Sequence, residues 1–228
     1  MSAQALVKRA GDRVLAAAGL VVLSPVLVGI SAWVYLESGA PVLFRQARAG
    51  VGGRPFTMLK FRTMVPNAVE LGRELGLSAD PFGVVADDPR ITRSGRFLRR
   101  TSLDELPQLV NVLRGEMSIV GPRPDLLEQV ENYAPEDRRR LAVKPGITGW
   151  AQIHGRDEIP WEERFPLDAW YVDNWSLGLD ARIVARTVAQ LGRPDPEPLE
   201  DRLNIERARA KPRDQAPKPR PVPGAGPE

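Results

Sequence analysis

The chain of 228 residues contains no cysteine, which excludes disulfides, thiol catalysis and cysteine-ligated metal sites. It has a single histidine, His154, which cannot make a metal site by itself. A lone histidine is more often structural than catalytic. Aromatic residues amount to 6% and do not alternate with the basic ones, so the base-stacking pattern of a nucleic-acid-binding surface is missing. No internal repeat is evident.

A chain of this length can bury one real core and carry appendages. Its net charge of +3 and pI near 9.5 leave anionic lipid headgroups, phosphorylated substrates and nucleic acid open as partner classes. Between Val14 and Leu36 there is no charged residue, and about 20 apolar residues suffice to cross a bilayer. Lys8, Arg9 and Arg13 precede this run, and Arg45, Arg48, Arg54, Lys60 and Arg62 follow it, so the positive-inside rule gives a straight span no orientation. That conflict disappears if the helix turns back near Ser24-Pro25, where the proline frees a carbonyl and the serine hydroxyl can help satisfy the backbone. A Pro-kinked span and a re-entrant hairpin both fit these residues.

After the apolar run, Val42-Leu43-Phe44 and Phe56 to Met64 read as two strands of a hairpin turned by Ala49-Gly50-Val51-Gly52-Gly53. Alternation places Leu59 and Phe61 on one face and Lys60 and Arg62 on the other, so these two cations are expected to project together. A helix is expected around Ala68 to Leu75, with loop signals at Asp80-Pro81 and Asp87-Asp88-Pro89. Gly121-Pro122-Arg123-Pro124 must be extended and holds Arg123 in a rigid loop, which suits a phosphate or simply exposes the arginine. Arg138-Arg139-Arg140 reads as a solvated basic helix end or a headgroup contact. Leu179, Ile183, Val184, Thr187, Val188 and Leu191 line one face of a helix, for which core packing is the simpler role. From Arg193 onward prolines and charges dominate, and such a tail cannot offset its ordering entropy.

The densest chemistry lies in Leu103-Asp104-Glu105-Leu106-Pro107-Gln108, preceded by Arg90, Arg93, Arg96, Arg99 and Arg100. Leu106, Leu109, Val110 and Leu113 follow at helical spacing, and Pro107 belongs in a first turn, so a helix starts near the acidic pair. Ser102 with Glu105 fits a capping box. Clustered arginines at a helix start also fit a phosphate-bearing substrate, with the carboxylates as catalytic groups. Both readings stand on the residues alone.

In order along the chain, several blocks closely resemble the bacterial sugar transferase family, the monotopic polyprenyl-phosphate phosphoglycosyl transferases. They are Lys8 and Asp12, Ser24-Pro25, Lys60-Phe61-Arg62-Thr63-Met64, Asp88-Pro89-Arg90-Ile91-Thr92, and Arg96 through Gln108. Gly115 through Pro124 and Lys144 through Gln152 complete them, and Gly155-Arg156 with Trp161 to Asp168 is similar too. The likeness is to the minimal form without extra N-terminal membrane helices. Where comparable relatives often carry asparagine, this chain has His154.

The resemblance implies an α+β fold: a compact, mostly helical cytoplasmic domain with a short β-hairpin and an N-terminal re-entrant membrane helix broken at Ser24 and Pro25. The expected divisions are 1–40 for the membrane helix, 41–191 for the catalytic domain and 192–228 for a disordered tail. The implied reaction moves a sugar 1-phosphate from a UDP-sugar to polyprenyl phosphate through an aspartyl phosphosugar, releasing UMP. Asp104 would be the nucleophile and a ligand of Mg²⁺, with Glu105 assisting. Arg123, Lys60, Arg62, Arg99, Arg100 and Asp168 are the implied substrate and phosphate binders. The implied location is the cytoplasmic face of the bacterial inner membrane, among its lipids and without nucleic acid, as a single chain or a homo-oligomer. A membrane-anchored basic module that binds anionic lipid or nucleic acid without catalysis is the competing function, and it would not need Asp104.

Overall fold

A computed structural model describes residues 3–77, 88–155 and 161–190 of the chain, and Met1–Gly192 belong to one compact unit. The expected turns at Asp80-Pro81 and Asp87, the segment Arg156 to Pro160 and the expected disordered tail lie outside the described residues. The fold is mostly helical with small sheets, as an α+β chain should be.

Helices α1 (Ala3–Val22) and α2 (Ser24–Ser38) meet at a bend of 63°. Pro25 has no N–H for the carbonyl of Val21, and the Ser24 hydroxyl donates to that oxygen instead at 2.8 Å. Among the described residues no single helix is long and apolar enough to cross a membrane, but the bent pair passes that test jointly. Val14, Leu15, Val21, Val22, Val28 and Leu36 are exposed along it.

The start of α1 is nonetheless part of the domain. Asp12 is buried and accepts from Ser118 Oγ at 2.8 Å and Ile119 N at 3.2 Å, and Lys8 Nζ sits 2.6 Å from Asp180. Farther along, a Cβ on Gly19 would stand 3.2 Å from a methyl of Leu109, so α1 lies close against the helix that carries it. The end of α2 is held as firmly, because the Glu37 carboxylate accepts from the backbone N–H groups of Arg93 and Ser94 at 2.8 and 2.9 Å. Those donors open the helix that starts at Arg93, so the contact caps it.

Strands β1 (Leu43–Ala49) and β2 (Pro55–Phe61) form an antiparallel hairpin in which Phe44 faces Lys60, Gln46 faces Met58 and Arg48 faces Phe56. The first strand runs five residues beyond the expected Val42 to Phe44, while the second ends at Phe61 instead of Met64. Helix α3 (Ala68–Glu74) follows, close to its expected place, and then α4 (Arg93–Thr101). Gly95 lets α4 press onto the chain after β2, since a Cβ there would fall 2.1 Å from the Thr63 carbonyl oxygen.

A 3₁₀ turn at Leu103–Glu105 leads into α5 (Gln108–Arg114). The buried side of α5 carries Gln108, Asn111 and Val112, rotated from the leucine face that periodicity picks out. Asn111 is the reason: its Oδ1 accepts from Leu59 N at 3.1 Å and its Nδ2 donates to Thr57 O at 2.7 Å, so it completes the free edge of β2. Leu106 and Leu109 pack partly buried beside it, and Leu113 is exposed.

The remaining elements are β3 (Ser118–Val120), α6 (Leu127–Glu131), β4 (Gly146–Thr148), α7 (Gln152–Gly155), α8 (Trp161–Asn174) and α9 (Leu177–Gln190). Parallel β3 and β4 pair Ser118 with Gly146 and Val120 with Thr148. Leu179 and Ile183 of α9 are buried with Val120, Ile153 and Tyr171, which bears out core packing for that part of the expected face, whereas Val188 is exposed and Leu191 lies outside the described residues. A second cluster, Ile30, Val34, Phe61 and Leu98, joins α2 to the hairpin and α4. Each such fully buried aliphatic side chain contributes roughly 1.5–3 kcal/mol.

Candidate active site

Residues directly opposite in an antiparallel pair share a face, so Gln46, Arg48, Met58 and Lys60 stand on the same side of the hairpin. The acidic pair comes to this face from the other direction. Helix α4 ends at Ser102, whose left-handed φ of 56° reverses the chain. That conformation is unfavourable for a side-chain-bearing residue by roughly 1 kcal/mol, and it sets the turn that presents Asp104 and Glu105.

Glu105 Oε1 lies 2.8 Å from Lys60 Nζ and 3.0 Å from Arg123 Nη2. The capping box is therefore absent: Ser102 makes no side-chain cap bond, and Glu105 is committed to two cations instead. Asp104 is 8% exposed, and its carboxylate accepts no hydrogen bond among the described residues. A small cleft opens here, lined by Arg48, Met58, Lys60, Gln108, Arg123 and Pro124.

The environments of the two acids push them apart. Burial raises the Asp104 carboxyl above its ordinary value, with Lys60 opposing and Glu105 adding to the rise. Burial would raise Glu105 as well, but Arg123 and Lys60 outweigh it and hold Glu105 at about 2. Lys60 itself is lowered by burial and by the nearby Arg123. Glu105 is thus a fixed anion and a poor base, while Asp104 is the more basic carboxylate and the one without a hydrogen bond.

Arg123 stands on the extended Gly121 to Pro124 loop, as its prolines require. The loop rests on a buried network beyond it. Arg140 donates to the Arg123 carbonyl at 3.0 Å and to Asp168 Oδ2 at 2.6 Å, and it also pairs with Asp125, which accepts from Tyr133 Oη. Arg140 is 4% exposed and Asp168 2%, so the expected solvated basic run holds instead a buried structural cation at its last position. Arg138 and Arg139 are exposed.

Of the residues singled out from sequence, the structure gathers Asp104, Glu105, Lys60 and Arg123. Arg99 reaches the Thr63 hydroxyl at 2.9 Å and lies near enough to Asp104 to favour its ionised form. Arg62 does not project with Lys60. It follows the end of β2 and turns to the end of α2, donating to the carbonyls of Ser38 and Gly39 at 2.8 and 2.7 Å. Arg100 is exposed, and its side chain makes no hydrogen bond or ion pair with a described residue. Asp168 lies in the Arg140 network, one link behind Arg123.

The sequence model described as bacterial sugar transferase matches residues 3–193. The chain belongs to the bacterial sugar transferase family. It is 45% identical over 186 residues to the sugar transferase EpsL of Bacillus subtilis, covering 82% of this chain and 87% of that one. It is 46% identical over 191 residues to the UDP-glucose:undecaprenyl-phosphate glucose-1-phosphate transferase of Escherichia coli, covering 80% of this chain and 39% of the relative. With the undecaprenyl-phosphate galactose phosphotransferase of Salmonella typhimurium the identity is 40% over 197 residues, covering 82% and 41%. The chain thus spans about two-fifths of the length of the last two relatives.

In this sugar transferase, sequence reasoning missed two residues of the cleft. Arg48 stood in the basic flank of the apolar run, and Gln108 was the last letter of the acidic motif. Strand alternation from Lys60 through the hairpin turn could have found Arg48; only the rotation of α5 by Asn111 brings in Gln108. As for Mg²⁺, the described residues include no group of three or more potential ligands. Mg²⁺ commonly takes one or two carboxylates and completes its shell with phosphates and water, and the unbonded Asp104 carboxylate fits that part.

Proposed function

We propose that this chain transfers a sugar 1-phosphate from a UDP-sugar to polyprenyl phosphate, giving a polyprenyl diphosphosugar and UMP. The observation that carries this is the division between the two acids: Glu105 holds Lys60 and Arg123 over a cleft, and Asp104 beside them has an unbonded carboxylate. The names of the Escherichia coli and Salmonella relatives supply the substrate classes.

In the first step an Asp104 carboxylate oxygen attacks the β-phosphorus, and the bond from that phosphorus to the bridging oxygen breaks. UMP leaves with the electron pair. In the second step an oxygen of the lipid phosphate attacks the same phosphorus and the Asp104 carboxylate departs. Lys60 and Arg123 neutralise the phosphates so that one anion can approach another. A Mg²⁺ bound through Asp104 and substrate phosphates would add Lewis-acid neutralisation. Glu105 keeps the two cations in place.

The bent α1–α2 pair is the membrane element, entering and leaving on the cytoplasmic face of the inner membrane. Its support is that both of its ends are fastened to one compact unit: Lys8 and Asp12 on one side, Glu37 and the Arg62 contacts on the other. A single folded body cannot stand on both faces of a bilayer. The test of the reaction is UMP release from UDP-sugar and polyprenyl phosphate, which Asp104→Asn should abolish; normal turnover by that variant would overturn it. A basic binding module without catalysis would be indifferent to the substitution.

A further inference from the structure

Arg48 is a part-buried cation whose hydrogen bonds go to uncharged partners. Its Nε and Nη2 donate to Gln46 Oε1 at 3.1 and 2.7 Å, and its Nη1 donates to the Pro124 carbonyl at 3.2 Å. Burial and Arg123 both disfavour its charge, and Glu105 opposes them. A buried cation without a carboxylate is costly unless something else supplies the anion.

The same cleft holds Lys60 and Arg123, which already share Glu105. Counting Asp104, the positive groups exceed the negative by one. Gln108 lines the same cleft and brings a neutral amide, not a second acid, to it.

We propose that Arg48, steered by the neutral Gln46 amide, is a binding group for the diphosphate of the nucleotide donor. This rests on reading the cleft as the UDP-sugar site. The hairpin register selects the donor over the lipid phosphate. Lys60 pairs with Phe44 next to Leu43, which packs against α2, whereas Arg48 pairs with Phe56 four residues farther along β2. At about 3.3 Å per residue that is roughly 13 Å along the hairpin from Lys60, at the end away from the α2 contact. Gln46 is the device that keeps the charge available, because a glutamate in its place would hold Arg48 in the same position and neutralise it.

The full-length protein in detergent or nanodiscs tests this through its affinity for UMP and UDP by calorimetry, with KM for UDP-sugar and for polyprenyl phosphate measured alongside. Gln46→Glu should weaken UMP and UDP by about tenfold or more and raise the UDP-sugar KM, with the lipid KM unmoved and the melting temperature not lowered. Arg48→Met should weaken them at least as much; if it fails to fold, Gln46→Glu decides. Unchanged nucleotide affinity in Gln46→Glu, or an effect on the lipid KM instead, overturns the role of Arg48 while leaving the cleft as the donor site. A wild-type protein that binds neither UMP nor UDP overturns both.

Discussion

Asp104 and Glu105 are adjacent in sequence and opposite in circumstance: one Glu105 oxygen takes both Lys60 and Arg123, while Asp104 accepts from no described donor. Two carboxylates at one turn can therefore divide the work, one organising the cations and the other meeting the substrate.

Glu105 should make the fold sensitive to acid. Its carboxyl titrates at about 2 in the folded chain against 4.5 ordinarily, so between those values the unfolded chain binds more protons. The stabilisation is full above about 4.5 and is lost as pH falls toward about 2. Urea midpoints followed from neutral pH into that window should drop, and Glu105→Gln should flatten that part of the slope. At neutral pH the same variant leaves Lys60 and Arg123 without their anion and should cost on the order of 3 kcal/mol.

Asp168 should behave as a structural partner of Arg140. Removing it leaves a buried guanidinium underpaired, so Asp168→Ala should lower stability by about 3–5 kcal/mol in chemical denaturation. Asp168→Asn keeps the shape and should lose less, and any loss of donor affinity should track the loss of stability. A variant with full stability and no donor binding would show instead that Asp168 touches the substrate.

The absence of cysteine gives a clean background for topology. Single cysteines at Gln4, in the first turn of α1, and at Ala47, beyond α2, both exposed, report on the two ends of the bent pair. Membrane-impermeant maleimide should label both in inside-out vesicles and neither in right-side-out ones. Opposite labelling of the two positions would make the pair a span.

Much of this site was legible before any coordinates, and the remainder was hidden for identifiable reasons. The helix break at Ser24-Pro25, the hairpin and the rigid Arg123 loop follow from proline, glycine and alternation, which act locally. Arg62 failed the alternation argument because the strand ends at Phe61, so the next side chain is no longer bound to the sheet's faces. Arg140 looks solvated in a triple-arginine run, and its partners Asp125 and Asp168 are distant in sequence. The capping box was a sound local signal that lost to Lys60 and Arg123, two cations brought in by tertiary structure. Arg48 required both the hairpin register and the pocket to be seen.

Intact-mass analysis of the protein mixed with UDP-sugar in the absence of the lipid acceptor tests the central claim most directly. A gain equal to one phosphosugar is expected, localised to Asp104 by peptide mapping, discharged by polyprenyl phosphate and missing from Asp104→Asn. UMP release by Asp104→Asn at the wild-type rate, or an adduct on another residue, would contradict it.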